Sequence, residues 1–259
     1  MRFFRILYGA SIAIVALSFS AGAVDPPAGT VYAAVASNFA EAQDALAKAF
    51  QAKTGHTIKV SPGSTGKLYA QVKNGGPFEI FLSADDTHVD KLITDKLALD
   101  ATRFTYAVGR LALYAPSLKP VAEGTLKSTA IKHLSIANPE VAPYGVAATE
   151  TLKKLGLLDA FKDRTVYGEN IAQTLQFVDS GAAEAGFVAY SQVKKFDAGT
   201  FWLVPTDSHA PIKQDAILLS TGKDNAAAIA YLAFIRSEDG QKIIESFGYS
   251  VEKTSPPAR

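Results

Sequence analysis

Cysteine is missing from all 259 residues, which removes disulfide staples, thiolate metal sites and a cysteine nucleophile from consideration. A lipoprotein anchor, which needs a cysteine at its cleavage point, goes with them. An excess of either charge is also missing: 26 Lys+Arg face 25 Asp+Glu, so no diffuse basic field invites a nucleic acid or other polyanion. Histidine is scarce. His56, His88, His133 and His209 are too far apart in sequence to form a metal-binding pair, and none accompanies a G-x-S-x-G serine turn. All four read as surface residues. The single Trp202, beside Phe201, reads as core and not as a sugar platform. No apolar run reaches the roughly 20 residues that span a bilayer; Ile6 to Phe19 is about 14 long.

That run follows Arg2 and Arg5 and precedes Ala21-Gly22-Ala23, the order of a cleaved signal peptide, so Met1 to Ala23 is expected to be removed on secretion. Losing Arg2 and Arg5 from 26 basic residues against 25 acidic ones leaves a net charge of −1. The expected mature protein is freely diffusing. With 48% hydrophobic residues it can bury a sizeable core without staples.

From Thr30 onward strand-like apolar runs alternate with helical spacing, which predicts an α/β chain. Strands are expected at Thr30 to Ala36, around Ile58 and Val60, and at Phe78 to Ser83, with helices from Asn38 to the Gly55 turn and through Leu68 and Val72. A second series has strands Leu111 to Ala115, Leu134 to Ala137, Arg164 to Tyr167, Ala185 to Ala189 and Phe201 to Pro205. Its helices are Gly145 to Leu155 and Ile171 to Asp179. The chain ends with a strand, Asp215 to Ser220, and two helices, Asn225 to Arg236 and Asp239 to Phe247. Two lobes joined by two crossings are expected: 24–108 with 213–259, and 109–212.

Four polar turns follow strands and open helices: Ser37-Asn38, Gly63-Ser64-Thr65-Gly66, Pro143-Tyr144-Gly145 and Glu169-Asn170-Ile171. The first amides of a helix are unpaired and the helix dipole is positive there, so each turn is a potential anion site. Each is equally a place where Ser, Thr or Asn merely caps a helix. Two turns come from each lobe, and their convergence in a cleft favours a ligand.

The stretches VYAAVASNF (Val31 to Phe39), PGSTGKLYAQV (Pro62 to Val72), PFEIFLSAD (Pro77 to Asp85), NPEVAPYG (Asn138 to Gly145), GENIAQTL (Gly168 to Leu175) and EAGFVAYSQ (Glu184 to Gln192) resemble the periplasmic molybdate-binding proteins. The resemblance runs from about Thr30 to Val251. It implies the two-lobed type II periplasmic binding protein fold, with the C-terminal segment on the first lobe. It implies a non-enzymatic, monomeric substrate-binding subunit of an ABC importer that carries molybdate or tungstate to a membrane permease with its ATPase. No cofactor is implied, and molybdenum would be held as the oxyanion, not as a cation. The family's contacts fall on Ser37, Thr65, Tyr144 and Ile171, with Asn38 and Ser64 adjoining them. Some family members carry a binding tyrosine where this chain has Ala189 and a small residue where it has Tyr144, which favours Tyr144 as the phenol donor.

Donor-only residue types suit a fully ionised oxyanion, whether molybdate, sulfate, phosphate or chromate. Lys67, just past the GSTG turn, is expected to point to solvent. The rival is a secreted serine acyl-transfer enzyme, for which Ser64 to Lys67 supplies SxxK and Lys53-Thr54-Gly55 supplies KTG. Those elements stand in the wrong order, SDN is absent, and SxxK recurs at Ser220 to Lys223. GSTGK also lacks the P-loop hydroxyl, because Leu68 follows the lysine. A purely structural secreted domain has no evident use for convergent polar turns.

Overall fold

The computed structural model describes residues 28–251; the expected signal segment Met1 to Ala23 and the Pro-rich tail lie outside the described residues. The chain opens with β1 (Thr30–Ala36), a 3-10 turn at Ser37–Phe39, α1 (Ala40–Thr54), β2 (Thr57–Gly63), α2 (Thr65–Lys73), β3 (Ile80–Leu82), α3 (Thr87–Thr94) and β4 (Phe104–Gly109). Next come β5 (Leu111–Tyr114), β6 (Leu134–Ala137), α4 (Pro143–Lys154), α5 (Leu158–Phe161), β7 (Thr165–Gly168), α6 (Ile171–Asp179), β8 (Ala185–Ala189), α7 (Tyr190–Val193) and β9 (Phe201–Leu203). The last elements are β10 (Ile212–Leu218), α8 (Ala226–Arg236) and α9 (Glu238–Ser246). None of the described helices is long and apolar enough to cross a membrane.

These strands form two five-stranded sheets, ordered β2-β1-β3-β10-β4 and β7-β6-β8-β5-β9. The two have the same plan. In each, three parallel strands (β2, β1, β3 or β7, β6, β8) meet a fourth strand that runs antiparallel, β10 or β5. The chain changes sheet at Arg110, between β4 and β5, and returns between β9 and β10, so the molecule is a two-lobed α/β protein of the type II binding fold.

Hydrophobic burial on both faces of each sheet holds the lobes together. In the first, Val31, Phe39, Leu46, Phe50, Ile80 and Tyr231 pack one face, and Leu68, Phe81 and Leu92 the other. In the second, Leu134, Ile136, Tyr144, Phe161 and Phe187 form the larger cluster, which also takes in Ala36 and Ala84 from across the cleft. α8 and α9 lie against α1, and Ser250 bridges to Val108 of β4, so the C-terminal segment sits on the first sheet. α1 stops at Gly55, whose φ of 75° is a left-handed cap that a side chain would disfavour.

Several expected boundaries shift by a residue or two, and β3 is shorter than the apolar run suggests. Four elements went unpredicted: α3, β4 and the single-turn helices α5 and α7, whose four residues each are too short to show a period. α3 buries only Val89 and Leu92, too few apolar positions to stand out as a period. β4 alternates irregularly and runs almost directly into β5, although the two belong to different sheets.

Candidate functional site

All four polar turns lie at the carboxyl ends of strands, where open α/β sheets place their ligands: after β1, β2, β6 and β7. They meet in one pocket between the lobes, lined by Ser37, Asn38, Ser64 and Thr65 on one side and by Pro143, Tyr144 and Ile171 on the other. Each of the six expected contact residues is at most 8% exposed. The lobes are closed on the pocket, a cavity of only about 10 Å³. Among the described residues no Asp, Glu, Lys, Arg or His lines it.

Ser64 occupies the N-cap position of α2, yet its hydroxyl makes no capping bond; it is buried without a partner. Leaving a buried hydroxyl unpaired is costly, so this group is available for a ligand. Thr65 accepts the Ala84 amide at 2.9 Å through its hydroxyl oxygen, which leaves the hydroxyl hydrogen for another acceptor. Ile171 opens α6. There Asn170 does cap, taking the amides of Ala172 at 3.0 Å and Gln173 at 3.1 Å, and leaves the Ile171 amide unused by the cap.

Tyr144 reaches the pocket from the first turn of α4, with its ring in the second lobe's core. Burial pushes its phenol well above the ordinary value, so it stays protonated and able to donate. Its oxygen stands where a Cβ on Gly109 would lie, 2.2 Å from that position, so only glycine fits at the end of β4.

Asn38 plays a different part. Its side-chain amide donates to Gln214 Oε1 at 2.8 Å and to Tyr249 OH at 3.0 Å. Its carbonyl accepts from Tyr249 OH at 2.7 Å and Ser191 Oγ at 3.0 Å. Tyr106 OH joins the network by donating toward Gln214 Oε1 at 3.0 Å and Ser83 O at 3.1 Å. Sequence reading missed Gln214, Tyr249, Tyr106 and Ser191. No motif marks Gln214, Tyr249 or Tyr106, Ser191 sits unremarked within the Glu184 to Gln192 stretch, and Gln214 lies 176 positions from Asn38.

Lys67 is half exposed and outside the pocket, but it does not simply face solvent: its ammonium pairs with Glu169 of the other lobe at 3.0 Å. Ala189 does not line the pocket, and its amide donates to Gln192 Oε1 at 2.9 Å. The histidines are not uniformly surface residues. His56 accepts the Gly29 amide at 2.9 Å, and half-buried His88 sits 2.8 Å from Asp85, because both rings fold back onto their own lobe. Among the described residues no three His, Asp or Glu side chains gather as cation ligands.

Residues 31–250 match the family model described as bacterial extracellular solute-binding protein. The chain is 45% identical over 244 residues to a molybdate-binding protein, ModA, of Azotobacter vinelandii, covering 92% of this chain and 97% of that one. It is 43% identical to the molybdate-binding protein ModA of Rhodobacter capsulatus, covering 89% and 92%. The solved structure of an Azotobacter vinelandii periplasmic molybdate-binding protein superposes with a TM-score of 0.82 at 34% identity, covering 86% of this chain and all of that one.

Proposed function

The chain belongs to the bacterial extracellular solute-binding proteins, and from that premise we propose that it captures molybdate between its lobes and delivers it to the permease of an ABC importer. The observation that carries this reading is the convergence of four strand-to-helix turns, two from each lobe, on one pocket with neutral donors and no charged side chain. Such a lining stabilises a fully ionised anion through hydroxyl and amide hydrogens. It offers nothing to a cation.

In this reading Ser37, Ser64 and Thr65 donate from the first lobe, and Tyr144 and the Ile171 amide from the second. Asn38 contributes backbone and holds the turn through its side-chain bonds to Gln214 and Tyr249. The lobes are 24–108 with 213–259, and 109–212. The mature protein is a periplasmic monomer freed from Met1 to Ala23, its partners are a permease and an ATPase, and no cofactor takes part. Tungstate, with nearly the same size and charge, shares the site. Molybdate's relatives at 45% and 43% identity favour it over other tetrahedral anions.

Calorimetric titration of the mature protein with molybdate, tungstate, sulfate and phosphate tests the reading. Tight one-to-one binding of the first two is expected. A protein that prefers sulfate or phosphate would belong to another oxyanion system, and one that binds none of the four would overturn the proposal.

A further inference from the structure

Behind the pocket, fully buried Gln214 stands on β10, beside the bulge where that strand's register with β4 shifts. It does not line the pocket. Its Oε1 receives the Asn38 amide at 2.8 Å and faces the Tyr106 hydroxyl at 3.0 Å, so both acceptor positions of the carbonyl are addressed by donors. Turning the amide over would set its NH2 against the Asn38 NH2. With the Asn38 amide as donor, Nε2 is directed at the Tyr144 oxygen, 3.4 Å away.

An amide nitrogen donates and cannot accept. The Tyr144 oxygen is therefore the acceptor of that contact, and its single hydrogen is left for the pocket. Gly109 closes the same oxygen from the rear, since a Cβ there would lie 2.2 Å from Tyr144 OH and 2.7 Å from Gln214 Nε2. Sequence distance hides this arrangement: Tyr144 and Gln214 are 70 positions apart.

We propose that Gln214 is a specificity-determining positioning residue, which occupies the acceptor side of the Tyr144 hydroxyl, makes that hydroxyl a donor only, and so disfavours anions that still carry a proton. The inference rests on the oxyanion reading above and extends it to the question of how hydrogen phosphate is rejected. A phenol free to rotate can accept a hydrogen bond from the hydroxyl of such an anion; one held by Gln214 only donates.

The test uses the mature protein and two variants, Gln214→Leu and Gln214→Glu, each also made with Tyr144→Phe. Both should fold, because Asn38 retains Tyr249 and Tyr106 retains Ser83 as partners; thermal melts check this. Affinities for molybdate and inorganic phosphate are measured from about pH 6 to 8, a range in which phosphate keeps at least one proton. Gln214→Leu should shrink the preference for molybdate over phosphate by about tenfold or more. With Tyr144→Phe already present it should leave that preference unchanged. Gln214→Glu places a carboxylate that takes the phenol hydrogen, so molybdate affinity should fall by about a hundredfold or more at the upper pH and recover on acidification as the carboxyl protonates. Wild type should show no such recovery. Equal losses for both anions in Gln214→Leu, or a pH-independent Gln214→Glu, would overturn the proposal while leaving the oxyanion reading intact. Failure of the wild type to bind molybdate would overturn both.

Discussion

The Gly66 amide of the first lobe donates to the Val141 carbonyl of the second at 2.9 Å, so the closed cleft is fastened by a backbone hydrogen bond at the edge of the pocket. A Cβ on Gly66 would come within 3.0 Å of Val141 Cα and 3.2 Å of its carbonyl oxygen. The glycine is needed for the approach of two main chains and not for an unusual backbone angle. Beside it, Lys67 and Glu169 pair across the same seam, but both side chains are about half exposed or more, and such pairs contribute little. The main-chain contact is the better marker of closure.

Replacing Gly66 by valine should therefore weaken anion binding by about tenfold or more while leaving the ligand-free melting temperature nearly unchanged, since the clash exists only when the lobes shut. Titration and thermal melting of the same samples separate the two effects. Small-angle scattering should show less compaction with saturating molybdate than wild type shows. Wild-type affinity in Gly66→Val would mean that binding does not require this approach.

Ser64→Ala should split stability from binding in the opposite sense. The Ser64 hydroxyl is buried and unpartnered, so removing it relieves an unpaired polar group and should leave the ligand-free protein as stable or slightly more so. If that hydroxyl donates to the anion, the same change costs roughly 1 to 3 kcal/mol of binding. Chemical denaturation with and without molybdate reads both. A variant that loses stability and keeps affinity would return Ser64 to a structural role.

The turns were legible in sequence because each joins a short apolar strand to a helical period, as at Leu134 to Ala137 before Tyr144 and at Thr165 to Gly168 before Ile171. Their purpose was only half legible. Ser64 and Asn170 both stand at N-caps, and sequence gives no sign that Asn170 caps while Ser64 does not. The network of Asn38, Gln214, Tyr106, Tyr249 and Ser191 was invisible, because its members come from distant strands and turns and owe their role to burial, which no local pattern reports. Lys67 is exposed and outside the pocket as helical geometry suggested, but its pairing with Glu169 was not legible, because Glu169 reaches it from the other lobe.

Alkaline pH should expose the buried phenols. Burial raises the titration of Tyr106, Tyr144, Tyr231 and Tyr249 above the ordinary phenol value near 10. Above that value the unfolded chain loses these protons while the folded one keeps them. Stability from this source is thus fully present below about pH 10 and declines as pH rises, by about 1.4 kcal/mol per pH unit for each such phenol. Urea unfolding at a series of pH values should show a plateau and then a fall. Phenolate absorbance that reaches its full amplitude near pH 10 in the native protein, with no fraction delayed until unfolding, would contradict it.

Selectivity between molybdate and sulfate should come from size, with little dependence on salt. Both are dianions near neutral pH, so a diffuse positive field would hold them about equally. The pocket has no such field: its lining offers the hydroxyls of Ser37, Ser64, Thr65 and Tyr144 and helix-start amides, fixed on two closed lobes. Donors fixed in position define a cavity of set radius. Sulfate, the smaller tetrahedron, cannot reach donors from both lobes at once, and each buried donor left unpaired costs roughly 1 to 3 kcal/mol. Two such losses correspond to a preference on the order of a thousandfold. Because these contacts are short and shielded from solvent, added sodium chloride should change the molybdate affinity far less than it would for an exposed lysine patch. The lysines that pair across the seam, Lys67 with Glu169 and Lys195 with Glu41, are both about half exposed or more and already partnered. Competition titrations at low and high sodium chloride measure both effects. Equal affinities for the two anions would remove size as the selector, and a steep loss with salt would move the source of affinity from the buried dipoles to surface charge.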